Sequence, residues 1–135
     1  MNVQKQKKTR RVLKRVSKKE LSLVAIRTNA AGLKQKMYSL LSKIEKFQPA
    51  CIFIQETKLY KKGQLKLEGF QCFEQVRVKS KGGGLLLAVH ESFDPVLIFE
   101  GNDDMEILIV QGKIGQKDIR FINAYGPQEA DNKEA

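Results

Sequence analysis

The chain has 135 residues, 41% of them hydrophobic, and a formal net charge of +10. That length suits one domain, and that apolar share suffices for a core. No apolar run approaches the ~20 residues of a membrane span, and the charged N-terminus lacks the apolar stretch of a secretory signal, so no membrane partner is expected.

The charge is uneven. Nine of the 25 basic residues lie in residues 1–19, and the first acid is Glu20. The remainder holds 16 basic and 15 acidic residues, a net of +1. Residues 1–19 therefore read as a basic, disordered arm, and residues 20–135 as the domain. Within the arm, Lys7, Lys8, Arg10, Arg11, Lys14 and Arg15 are candidates for contact with DNA, or with RNA, through phosphates. The same run also suits a nuclear-import signal or a solvated extension. Two cysteines, Cys51 and Cys72, are too few and too far apart for a zinc site or a disulfide framework. A reducing compartment, nucleus or cytosol, is expected, with Cys51 a small buried hydrophobe.

After the arm, Leu21 to Asn29 is an aliphatic, β-branched run that predicts a buried strand. Ala30 to Gly32 makes the turn. From Lys34 to Phe47, Met37, Leu40, Leu41, Ile44 and Phe47 recur at helical spacing, with lysines opposite. Gln48-Pro49 ends that helix. Cys51 to Ile54 predicts a second buried strand, stopped by Gln55-Glu56-Thr57-Lys58. Strand, helix, strand in this order implies a right-handed crossover between parallel strands. Beyond residue 70 the pattern is antiparallel: Phe70 to Val78 a strand, Lys79 to Lys81 a turn, and Gly82-Gly83-Gly84 leading into Leu85 to Val89. Asp103 and Asp104 read as turn formers. Ile107 to Val110 and Ile119 to Ile122 flank Gly112 to Asp118, which reads as a hairpin turn. The layout is mixed α/β, rich in β.

Three polar side chains stand where strands end, the usual place for chemistry in mixed sheets. They are Asn29, Glu56 and Tyr125. Each has a plainer use: Asn29 as a helix N-cap or turn former, Glu56 as a solvated strand end, Tyr125 as a packed aromatic before Gly-Pro. Asn123 reads as structural, bonding backbone. His90, the single histidine, reads as structural or as a surface residue. The glycines at 82–84 are not a phosphate-binding loop, because no Gly-Lys-Ser/Thr and helix follow.

Taken in order, four segments resemble the endonuclease/exonuclease/phosphatase superfamily, most nearly the nuclease domains of LINE-type retrotransposons, which are themselves similar to apurinic endonucleases. They are Thr28-Asn29-Ala-Ala-Gly32-Leu33, Ile52-Phe-Ile-Gln55-Glu56-Thr57, Gly82 to Ala88, and Ile122-Asn123-Ala-Tyr125-Gly-Pro127. The resemblance covers about residues 21–128. It implies the N-terminal half of a DNase-like fold: a four-layer sandwich of two sheets flanked by helices, with the active site at one end. It implies magnesium-dependent phosphodiester hydrolysis of DNA. Glu56 would ligate magnesium, Asn29 would bond the phosphate or orient its neighbours, and Tyr125 would donate its phenol to a phosphate oxygen.

Two departures accompany it. Ala31 stands where the family has an Asp or Asn near the metal. The family's later motifs, Gly-Asp-x-Asn, a further Asp and Ser-Asp-His, are absent. The expectation is therefore a truncated domain, inactive alone, with strands such as Ile107 to Val110 and Ile119 to Ile122 left without packing partners, in a longer polyprotein with a reverse transcriptase. Two other readings stand beside it: another phosphodiesterase of the superfamily, and a non-catalytic basic protein that binds nucleic acid through its arm.

Overall fold

A computed structural model describes residues 24–77 and 82–126. The basic arm, Leu21 to Leu23, Val78, the turn at Lys79 to Lys81 and Pro127 lie outside the described residues. In chain order the elements are β1 (Ala25–Asn29), α1 (Leu33–Phe47), β2 (Cys51–Gln55), β3 (Phe70–Gln75), β4 (Leu85–His90), a 3-10 turn (Glu91–Phe93), β5 (Val96–Asn102), β6 (Met105–Ile114) and β7 (Lys117–Tyr125).

Sheet A has the order β1-β2-β4-β3, and sheet B the order β5-β6-β7. β1 and β2 are parallel across the α1 crossover, as expected, and every other pairing is antiparallel. β2 and β4 are buried on both faces, and the two-residue period of a strand divides their side chains between two cores. Ile52, Ile54, Leu86 and Ala88 face α1, where they meet Leu33 and Leu40. Cys51, Leu85, Leu87 and Val89 face sheet B, where they meet Phe93, Leu108, Val110 and Phe121. The layers are thus α1, sheet A and sheet B, an α/β arrangement with three of the four expected layers among the described residues.

Several expectations are corrected. β1 is an edge strand whose residues alternate between exposed and half-buried, so it is not buried. Leu33, Met37, Leu40 and Ile44 form the stripe of α1 that meets the core, while Leu41 and Phe47 are exposed. The β6–β7 turn is far tighter than Gly112 to Asp118, because Ile114 still pairs with Lys117. Gly112 lies inside β6, where an added Cβ would sit 3.1 Å from the Phe121 ring. The strands expected to lack partners have them on one side: Leu108, Val110 and Phe121 are buried against sheet A. Their outer face carries Ile109 and Ile122, with Ile122 exposed, and no described helix covers it.

Two other expectations hold, for Cys51 and for His90. Cys51 is buried, and burial pushes its thiol up to about 11. His90 is buried and structural: its Nδ1 accepts the Ser92 amide at 3.1 Å and caps the 3-10 turn, and its ring meets the Phe70 ring edge-on. No helix among the described residues is long and apolar enough to cross a membrane.

Candidate active site

Because β1 and β2 are parallel, both deliver their last residues to the same end of sheet A, with Asn29 opposite Gln55. Antiparallel pairing brings the start of β4 and the end of β3 to that end too, as Gln55 and Gln75 each face Leu85. In sheet B the same end holds the start of β6 and the close of β7, where Glu106 pairs with Tyr125. Side chains tie the sheets together here. Gln55 Nε2 donates to the Ala124 carbonyl at 2.8 Å, and Asn123 Nδ2 donates to the carbonyls of Ile54 and Leu86 at 3.1 and 2.8 Å. Asn29, Glu56 and Tyr125 therefore share one end of the sandwich.

Glu56 lies in a stitched loop. On one side the amides of Ala30, Gly32 and Leu33 donate to the carbonyls of Gln55, Glu56 and Thr57 at 2.8–2.9 Å. On the other, Thr57 and Lys58 amides donate to Gly84 and Gly83 carbonyls at 3.2 and 2.8 Å. Held from both sides, Glu56 and Lys58 adopt φ of 55°, a left-handed conformation that non-glycine residues rarely take. Gly84 makes the stitching possible: its φ is 94°, and a Cβ there would come within 2.5 Å of Thr57 Oγ1. The Glu56 side chain is half-buried and has no hydrogen-bond partner among the described residues.

Asn29 is exposed, and its Oδ1 accepts the Ala31 amide at 3.2 Å. This Asx turn accompanies a φ of 46° at Ala31, and the Asn29 side-chain amide protons have no partner among the described residues. Tyr125 is half-buried and packs against the core between the sheets.

Sequence reasoning assigned no role to Gln55, Gln75, Arg77 or Glu106. Gln75 joins β3 to the β5–β6 hairpin, donating to the Asn102 carbonyl at 2.8 Å and accepting the Ile107 amide at 2.9 Å. Glu106 is buried, and its two oxygens take the Gly84 amide at 2.7 Å and Arg77 Nη2 at 3.1 Å. The available signal was a polar residue at the end of an apolar strand, which shows itself only once the opposing strand is known.

A hard cation such as magnesium takes one or two carboxylates and completes its shell with water and substrate phosphate. Glu56 places a carboxylate at this end of the sandwich, with no hydrogen-bond partner among the described residues. Among the described residues no three His, Cys, Asp or Glu cluster as a fuller metal site. Ala31, whose side chain has no ligand atom, turns in the neighbouring loop.

No protein-family model matches the chain. Solved structures do. An AP endonuclease from Leishmania major superposes with a TM-score of 0.63 at 18% identity, over 81% of this chain and 43% of its own. The endonuclease domain of TRAS1, a telomere-specific non-LTR retrotransposon, gives 0.56 at 19% identity, over 82% of this chain and 50% of its own. The 3' phosphatase NExo from Neisseria, bound to product DNA hairpin, gives 0.54 at 13% identity, over 84% of this chain and 48% of its own. The chain thus spans half, or somewhat less, of the length of the structures it matches, and it shares the fold of the endonuclease/exonuclease/phosphatase superfamily.

Proposed function

We propose that this chain forms one lobe of a magnesium-dependent phosphodiesterase acting on DNA, of the retrotransposon-endonuclease type. The observation that supports this most is the convergence of Asn29, Glu56 and Tyr125 at one end of a sandwich whose fold is shared with DNA-processing enzymes. In this reading Glu56 offers a carboxylate oxygen to magnesium, and the bound ion would neutralise charge on the phosphoryl oxygens. Asn29, with its carbonyl oxygen turned to Ala31, presents its N–H donors to a phosphate oxygen. Tyr125 donates its phenol to another. No described residue at this end is a credible base for the attacking water: the one histidine, His90, is locked into its turn. The proposal therefore assigns that base to a second lobe, as part of a longer polyprotein with a reverse transcriptase, and expects this chain alone to be inactive.

Residues 1–19 complete the reading as a basic arm that holds nucleic acid through phosphates, so deleting them should flatten the salt dependence of DNA binding. An unchanged slope would remove the arm from the proposal. The test of the whole is nicking of supercoiled plasmid by the chain alone and by the chain fused to the second lobe of a nuclease of this fold. The chain alone should not nick with magnesium. The fusion should, and Glu56→Gln should raise its magnesium requirement without altering the fold. Undiminished activity of Glu56→Gln at limiting magnesium would reduce Glu56 to a surface residue and defeat the reading.

A further inference from the structure

Charge is segregated along the described chain. Residues 30–68, covering α1 and the loop after β2, hold eight lysines and three glutamates, a net of +5. Residues 82–126, which include all of sheet B, hold three basic and seven acidic residues, a net of −4. The basic part begins at the candidate active site, since Gly32 and Leu33 are stitched to Glu56 and Thr57.

The same surface carries exposed aromatics. Tyr60 is 74% exposed and Tyr38 is 86% exposed. Lys34 links them. Its Nζ lies 5.5 Å from the centre of the Tyr60 ring, and Tyr38 follows it at i+4, one turn along the same helix face. The result is an aromatic, a cation and an aromatic in succession, with Lys58 beside Gly32 at its inner end. Neither ring belongs to a core cluster, so stacking a base on it would not compete with packing in the fold.

We infer that Tyr60, Lys34 and Tyr38 form a ledge for unpaired nucleotides leading away from the Glu56 end, so that the site takes a nucleic acid with a single-stranded segment beside the scissile position. The inference builds on the proposed function but is tested apart from it. Unpaired bases stack on aromatic faces without regard to sequence, and a cation between the rings meets the phosphate that joins two stacked bases. A continuous duplex offers the phosphates but keeps its base faces stacked inside.

The test is binding of the full chain to a short oligothymidine and to a blunt duplex, in EDTA, across a salt series. Metal chemistry plays no part there, so failure of the nuclease reading leaves the result unaffected. Tyr60→Ala should weaken single-strand binding roughly 5- to 150-fold, by the same factor at low and high salt, while Tyr60→Phe binds like the parent. Lys34→Gln should instead lower the salt slope by about 0.7. Oligothymidine should also protect Tyr60 and Tyr38 from nitration, a readout that the basic arm does not share. Parent-like binding by Tyr60→Ala together with unprotected tyrosines would overturn the ledge. Equal weakening on duplex would overturn its preference for unpaired bases. Protection by an acidic peptide but not by oligothymidine would assign the surface to a protein partner.

Discussion

Gln55 and Asn123, 68 residues apart, meet side chain to side chain across the two sheets, with Gln55 Nε2 3.5 Å from Asn123 Oδ1. Both also bond backbone of the opposite sheet, so the contact is a small buried network in which each partner orients the other.

Asn123→Ala removes the donor to two buried carbonyls. It should cost about 1–3 kcal/mol, more than its lost volume implies, because buried acceptors are left unsatisfied. Urea unfolding with fluorescence or circular dichroism measures it. A loss below ~0.5 kcal/mol would show that water replaces the side chain.

Ala31 sits at a φ of 46° with no glycine's freedom. Ala31→Asn should raise stability by about 0.5–1 kcal/mol, since asparagine tolerates this conformation better than alanine. The midpoint of thermal unfolding should rise accordingly, and a fall would mean that the Asx turn with Asn29 does not hold Ala31 there in solution.

Glu106→Ala should destabilise by about 2 kcal/mol or more, because it strands the buried Gly84 amide and the partly buried Arg77 guanidinium. Glu106→Gln keeps an acceptor for the Gly84 amide and should cost about half as much. Equal losses for the two would mean that the charge on Arg77, rather than the amide, dominates.

Cys51 gives a pH signature. Burial raises its thiol from the ordinary value of 9.0 to about 11, so in the folded chain it stays protonated where the unfolded chain ionises. The folded state then binds the extra proton, and stability should fall as pH rises from about 9 toward 11, by up to about 1.4 kcal/mol per unit. Below pH 9 this contribution is fully present. Cys51→Ala should lose this part of the slope, so that it appears in the difference between parent and variant, and an unchanged slope in Cys51→Ala would place its origin elsewhere.

What the sequence made legible followed from strong periods. β2 and β4 are unbroken apolar runs flanked by polar or glycine residues, and both were found. α1 was found with its stripe partly misjudged, because Leu41 and Phe47 have the spacing of core residues and only tertiary packing exposes them. β5 was missed. Its four apolar residues, Val96 to Phe99, do not alternate, all are exposed, and register shifts after Leu97 and Glu100 break its pairing with β6. The Asn102 side chain, accepting the amides of Asp104 and Met105, closes the turn that could have announced it. At the candidate site the three strand-end residues were legible as motif members. The clasp of Gln55 with Asn123 and the Glu106–Gly84 bond were not, because they join residues whose closeness depends on two sheets folding together.

The segregation of charge acts before any contact is made. The described part of the chain, positive along residues 30–68 and negative along residues 82–126, is an electric dipole. Near a polyanion it experiences a torque that turns α1 and the Glu56 end forward and sheet B away. Diffusing molecules then arrive already oriented, which raises the fraction of productive collisions at low ionic strength and fades once the screening length falls below the size of the domain.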